Sequence, residues 1–566
     1  MIERPERRRY PSRNAETARF TPFFRIILGR RLFCYDPHGG AWRICAVSEQ
    51  VLIVGAGPTG LVLALWLSQF GIRPRIIDRV AEPGTTSRAL AVQARTLELY
   101  RQIGLADDVL RAGHSVKAVN LWVRGQRAAQ LPFGAVGEGL TAYPFLHIFP
   151  QDEHERLLIA RLAAAGITVE RSVELISARN AGDRVEFALR HDGGRQEQGQ
   201  AAFVVGCDGA HSAVRGAMGV SFSGGTYRQL FYVADIEGAG LALDGQLHID
   251  LDEADFLAIF PLSGTGRVRL IGTVRDERAD DAEALGFDDV SRRAMTGLGL
   301  VVNRVNWFST YHVHHRVAGA FRADRMFIAG DAAHIHSPAG GQGMNTGIGD
   351  AINLAWKLAA VLNGEAPMVI LDSYQAERIG FARRLVETTD RVFSFVTAEG
   401  RLADRIRMQL VPRLFPRLIR LAAVRDFMFR TVSQIMISYR AGPLAEGRAG
   451  AVHGGDRLPW VRVDGGDNFA PLIGLHWQLH VYGEPTPDLE AWCANAGLPL
   501  HAFAWQDIWE RKGLARDAAY LIRPDGYVAV ADPDGAPDRI AAFLESRGLT
   551  VAASADPSEN HPLAPV

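Results

Sequence analysis

Six consecutive residues, Gly55-Ala56-Gly57-Pro58-Thr59-Gly60, place glycines where a missing side chain does chemical work. In such a run the first glycine permits a tight turn, the second lets a phosphate approach the backbone, and the third lets a helix pack closely on a strand. The flanks suit that use. An aliphatic strand pattern, Val51–Val54, precedes the run and an apolar helix pattern, Leu61–Phe70, follows it. Arg73–Asp78 then reads as a second strand ending in an acid, 18 residues past Gly60. Strand, glycine turn, helix, strand and acid together predict dinucleotide binding. The phosphates lie on helix N-terminal N–H groups and Asp78 on a ribose. The candidate contacts are Gly55, Gly57, Pro58, Thr59, Gly60, Asp78 and Arg79.

Two further strand-to-turn crossings follow. Phe203–Gly206 runs into Cys207-Asp208-Gly209 and on to Arg215; Met326–Ala329 runs into Gly330-Asp331 and His334. The latter leads to Gly340-Gly341-Gln342-Gly343-Met344-Asn345 and a helix expected over Thr346–Leu362. An acid after a buried strand needs hydroxyl or N–H donors. Glycines at a helix start let backbone N–H groups meet a ligand edge and stabilise negative charge on it. His312, His314, His315, His334 and His336 do not read as a zinc set, because they diverge along a strand or belong to the glycine loop. No metal is expected. No G-x-S-x-G elbow and no second glycine-rich fingerprint occur.

The three motifs, in this order, resemble the single-component flavin aromatic hydroxylases, the para-hydroxybenzoate hydroxylase and phenol hydroxylase group. The likeness is strong over Val51–Leu385. It implies FAD as the cofactor and NADH or NADPH as the reductant, docking in a groove. By resemblance Asp331, after Gly330, faces the ribityl and diphosphate part of FAD. Gly341, Gly343, Met344 and Asn345 meet the flavin N1/C2=O edge. Asp208 belongs to a segment shared by FAD and nicotinamide, with a plain turn acid as the other reading. Arg88 lies along the adenosine diphosphate half, and Gln151 near the flavin chain. The implied reaction adds one oxygen of O2 to an aromatic phenol or polyketide through a C4a-hydroperoxyflavin. A Baeyer–Villiger or epoxidising oxygenase on the same scaffold is the alternative, and a flavin-binding protein without turnover a third. No catalytic side chain is assigned.

These residues need an α/β frame. We expect a Rossmann-type FAD-binding domain over 47–385, interleaved with a substrate sheet over about 219–320. Its strands are Leu230–Ile236, Leu247–Asp250, Phe256–Phe260 and Val268–Val274. Phe260-Pro261-Leu262 resembles a pocket-lining turn, and Tyr227 and Tyr232 are candidates to orient a phenol. A helical segment covers 386–445. The tail, 446–566, reads as strand, helix, strand and a hairpin turning at Arg523-Pro524-Asp525-Gly526. It resembles the thioredoxin-like tail of phenol hydroxylase relatives. Cys493 is alone there, so the tail reads as a packing or homodimer element.

Composition agrees. The 566 residues are 48% apolar and 22% charged, with net charge −1, which gives no basic excess for nucleic acid. Positive charge is nearly all arginine, the lysines being Lys117, Lys357 and Lys512. No run of ~20 uncharged apolar residues could span a bilayer. Cys34, Cys45, Cys207 and Cys493 form no C-x-x-C pair, which reads as a reducing, cytoplasmic setting. The arginine-rich stretch 1–46 reads as a disordered tail or an over-long start.

Overall fold

The computed structural model describes residues 48–551 except 85–88, 124, 252–255, 265, 275–284, 291, 338–340, 398–413, 415–416 and 419, and three strands before residue 46. The chain divides into two units, Met1–Ser48 and Glu49–Val566. The first holds an antiparallel meander, Arg25–Leu28, Arg31–Asp36 and Ala41–Cys45. A stretch expected to be a tail thus carries paired strands. Its isoleucines and aromatics favour extended backbone despite the arginines between them.

In the larger unit, the nucleotide sheet is built on Ser48–Val54. Arg75–Ile77 lies parallel on one side of it, with Val169–Glu170 beyond. On the other side stands the long strand Gln196–Gly206, parallel to Met326–Ile328. Val51, Leu52 and Ile53 are fully buried, as expected of a strand covered on both faces. The first helix, Pro58–Gln69, starts with proline, which needs no N–H partner at that position. It packs against the helix Gly343–Leu362. The latter begins three residues earlier than the sequence pattern suggests, because its first turn is glycine-rich and carries no apolar period.

The second large sheet has eight strands. In spatial order they are His334–Ile335, Val301–Ala318, Phe222–Ala239, Arg267–Val274, Phe256–Pro261, Leu247–Leu251, Ala118–Val123 and Gln126–Pro132. The sheet expected over about 219–320 therefore recruits a hairpin, Ala118–Pro132, that precedes it by some hundred residues of chain. Ala118–Val123 pairs in parallel with Leu247–Leu251, a long-range contact without a local sequence signal. The two faces serve different layers. Leu230, Tyr232, Ala234 and Ile236 face an outer core with Val290, Ala294 and Met295. Phe231 and Val233 point into the core shared with the nucleotide half.

The helices Asp372–Thr397 and Ala422–Val432 follow. The tail sheet runs Val452–His453, Glu446–Ala449, Val528–Asp532, Ala519–Ile522, Gln478–Tyr482, Leu500–Phe503. Among the described residues, no helix is long and apolar enough to cross a membrane.

Candidate active site

The glycine turn is held by close approach. Gly55 has φ +104°, and a Cβ on it would stand 2.3 Å from the Cys207 carbonyl oxygen. A Cβ on Gly60 would be 2.0 Å from the Gly55 carbonyl oxygen. Both positions exclude any side chain. Gly57 differs: no atom lies within 4 Å of its would-be Cβ, so the backbone there opens onto free space at the helix start. Thr59 turns inward, where its Oγ1 would meet a Cβ on Gly330 at 2.6 Å and one on Gly347 at 2.4 Å. This threonine locks the first motif onto the third. Asp78 accepts from Ala56 N at 2.7 Å and from Val80 N at 2.8 Å, which fixes its carboxylate against the turn. Arg79 is exposed beside a surface cleft that Arg190 and His191 also line.

All three motifs converge at the carboxyl ends of adjacent strands, where α/β sheets bind ligands. Cys207 N donates to the Val54 carbonyl at 2.7 Å and Ala329 N to the Gly206 carbonyl at 2.9 Å. Asp208 Oδ2 accepts from Ala213 N and Val214 N, at 2.7 and 3.2 Å, at the start of Ala213–Ala217. Its Oδ1 is buried and has no partner, and desolvation raises its pKa. Arg215 does not pair with Asp208. It donates to the carbonyls of Ala332 and Ala210, at 2.9 and 2.7 Å, and lies 3.9 Å over the Phe222 ring. That guanidinium ties the second motif to the third. Asp331 is exposed and makes no hydrogen bond among the described residues. Protein on its other sides desolvates it and raises its pKa.

Behind this surface lies a paired network that the sequence did not announce. His334 Nε2 lies 2.7 Å from Asp350 Oδ2, which also accepts from Gly330 N at 3.0 Å. Arg378 Nε donates to Asp350 Oδ1 at 2.6 Å. The Arg378 charge and the hydrogen bonds with Arg378 and His334 hold Asp350 at about 2 despite burial. The network explains the fixed pose of Gly330, whose φ is +61°.

The glycine loop is tied down by Asn345. Its Oδ1 accepts from Gln93 N and Thr96 Oγ1, at 2.9 and 2.8 Å, and its Nδ2 donates to the Ala91 and Gly341 carbonyls, at 2.8 and 3.0 Å. All four capacities of this buried amide are spent on protein, so only its backbone is free for a ligand. Gly341 has φ +62° and abuts Ala91. Gly343 has open room, its nearest neighbour being His336 at 3.8 Å. Met344 is half-buried against the core. Gln151 starts the helix Gln151–Ala164 and donates to Glu155 at 2.8 Å. Arg88 lies outside the described residues.

The inner face of the second sheet packs on the core it shares with the nucleotide strands. Cross-strand register puts Tyr311, Phe231, Thr273 and Trp307, Asp235, Arg269, Phe260 in rows on one side. Phe256, Phe260, Trp307 and Tyr311 are partly buried against the shared core. Arg269 is 2% exposed and grips Asp235 through two bonds of 2.6 and 2.7 Å, 5.5 Å from the Trp307 ring centre. Tyr232, a candidate to orient a phenol, is on the other face, packed against Phe308 and Gly272. Strand alternation puts it there. Tyr227 is partly buried against the shared core, its ring 4.8 Å from that of His315.

These residues fit FAD. Gly57 leaves room for a diphosphate at a helix start, while Asp208 Oδ1 and the exposed Asp331 offer acceptors without a partner among the described residues. Residues 48–389 match the family described as FAD binding domain. The chain belongs to that family, a class of flavin monooxygenases. Among its relatives, 6-methylpretetramide 4-monooxygenase of Streptomyces rimosus is 38% identical over 437 residues, 74% of this chain and 75% of that protein. Pentachlorophenol 4-monooxygenase of Sphingobium chlorophenolicum is 31% identical over 382 residues, 65% of this chain and 69% of that one. The solved structure of OxyS anhydrotetracycline hydroxylase from Streptomyces rimosus superposes with a TM-score of 0.71 at 28% identity, covering 89% of this chain and 99% of that one. The protein is an FAD-dependent monooxygenase of aromatic compounds.

Proposed function

We propose that the enzyme hydroxylates a phenolic, polycyclic substrate of aromatic-polyketide type, with NADH or NADPH as reductant. The observation that carries this reading is the inner sheet face. Phe256, Phe260, Trp307 and Tyr311, with the buried Phe231, share one face of the sheet and make an aromatic wall on the core common to the nucleotide half. Such a wall suits fused rings and keeps water from the reacting atoms. The names of the relatives above point the same way. When bound, reduced FAD supplies the activated oxygen that goes to the ring.

The chain's own residues position and shield. Gly57 and the first turn of Pro58–Gln69 receive the diphosphate, Asp331 accepts ribityl hydroxyls, and the backbone of 341–345 meets the flavin edge. Asp78 orders the ribose end through its hold on Ala56. The Arg269–Asp235 pair keeps a polar point within the apolar wall without leaving a bare charge. The test is NAD(P)H oxidation against a panel of phenols and fused-ring polyketides, with product mass. Gain of one oxygen atom on a phenolic ring supports the reading, and oxygen inserted into a ring bond overturns it.

The tail is read as thioredoxin-like on its strand order. Leu500–Phe503, Gln478–Tyr482, Ala519–Ile522 and Val528–Asp532 lie side by side, the first pair parallel and the others antiparallel. Burial lifts the lone Cys493 thiol to about 11, which argues for packing rather than exchange. A cytoplasmic homodimer is the expected setting. The exposed Leu418, Leu421 and Phe427 support self-contact, and sedimentation tests it.

A further inference from the structure

Two buried polar atoms beside the glycine loop have no hydrogen-bond partner, Nε2 of His336 and Oγ of Ser337. Native proteins rarely bury such atoms without a use. The contrast with His334, two residues earlier, is direct. The two rings are nearly parallel, 11° apart, with centroids 6.4 Å apart. His334 spends its Nε2 on Asp350. His336 has its Nδ1 2.9 Å from the Ser337 carbonyl oxygen, which can only accept, so Nδ1 carries the proton. Burial also lowers the His336 pKa to about 4, which keeps the ring neutral near pH 7. Its remaining lone pair therefore sits on Nε2.

That edge of the ring faces the start of the helix Gly343–Leu362. A Cβ on Gly343 would lie 3.8 Å from Cε1 and 3.9 Å from Nε2 of His336. The first turn of a helix offers N–H donors only. A ligand that carries both acceptors and donors needs an acceptor beside them. We propose that His336 Nε2 accepts a hydrogen bond from FAD, from its ring N3–H or a ribityl hydroxyl, with Ser337 Oγ as a second contact. This rests on FAD lying at the 341–345 loop. It assigns the loop a neutral acceptor, fixed in one tautomer, that the motif's glycines cannot supply.

The experiment titrates apo-protein with FAD and records the bound flavin's absorption spectrum and the shift in unfolding temperature that FAD causes. His336→Phe keeps a ring and removes the lone pair. His336→Gln returns an acceptor. Ser337→Ala removes an atom that bonds to nothing, so it spares the fold. The expected result is FAD affinity about tenfold weaker in His336→Phe, with a displaced near-ultraviolet flavin band and a smaller FAD-induced shift. His336→Gln recovers part of the loss, and Ser337→Ala weakens FAD about threefold. Wild-type affinity and spectrum in both His336→Phe and Ser337→Ala overturn the proposal. So does unchanged FAD binding with weakened binding of the aromatic substrate, which would make the substrate hydroxyl the donor. A wild-type chain that takes up no FAD fails the cofactor reading instead.

Discussion

The nucleotide wall and the sheet wall that share the core are built on opposite rules. The nucleotide wall leaves polar atoms unpaired: Asp208 Oδ1, Asp331 and His336 Nε2 all await a donor. It also leaves steric room at Gly57 and Gly343, while Gly55, Gly60 and Gly330 are closed to any side chain. The sheet wall is largely apolar, and the buried Arg269 on it is paired with Asp235. One wall recognises its ligand by hydrogen bonds and fixed backbone; the other recognises it by shape. Substitutions on the first should be read in cofactor affinity, and on the second in substrate affinity or stability.

Gly60→Val is the harshest test of that division. Its side chain would collide with the Gly55 carbonyl, and backbone cannot yield there. FAD-loaded protein should not be recovered. Soluble yellow protein from this variant would mean that the turn is looser than its geometry. Arg269→Met comes next. It strands Asp235 beside an apolar wall, a loss of about 3 kcal/mol in urea unfolding. Pairing it with Asp235→Leu should restore most of that stability while FAD affinity stays put throughout. A drop in FAD affinity would show that the two walls are coupled. Asp331→Ala removes an acceptor that the protein itself does not use, so apo stability should hold. FAD binding should weaken by about 1–3 kcal/mol, read by flavin titration. The smallest effect belongs to deletion of residues 1–46. They form their own unit with Ser48, so FAD content and unfolding temperature should match the full chain. A flavin-free truncation would contradict that.

The motifs were legible because glycine and acid positions after strands follow from local backbone geometry. The strands Leu247–Leu251, Phe256–Pro261 and Arg267–Val274 were legible from alternation for the same reason. What could not be read is whatever long-range pairing decides. Alternation shows that Phe231 and Tyr232 face opposite ways, not which of them meets the ligand. Nothing local links Ala118–Val123 to Leu247–Leu251, or Asn345 to Gln93 and Thr96. A signal was available for Arg269, a charge between apolar neighbours in a half-buried strand, which implied a buried partner. Asp350 and Arg378 carried none, since a helical acid and arginine read as surface residues until the helices pack.

The hairpin turn at Arg523–Gly526 reaches back into the nucleotide half. Arg523 is fully buried and pairs through Nη1 with Glu377 at 2.7 Å and through Nη2 with Asp525 at 2.6 Å. Lys357 donates to the same Glu377 at 2.8 Å, Trp356 Nε1 to Asp525 at 3.1 Å, and Arg95 to the Asp525 carbonyl at 2.6 Å. Glu377 precedes Arg523 by 146 residues. During synthesis the helices Gly343–Leu362 and Asp372–Thr397 therefore leave the ribosome with this carboxylate only partly compensated, and they wait for an arginine made 146 residues later. Completion of the cofactor-binding half is thereby tied to synthesis of the hairpin turn at Arg523–Gly526. A ribosome that stalls before residue 523 releases a chain in which Glu377 keeps Lys357 but lacks Arg523, and such a less stable product is exposed to proteolysis before it is loaded with flavin.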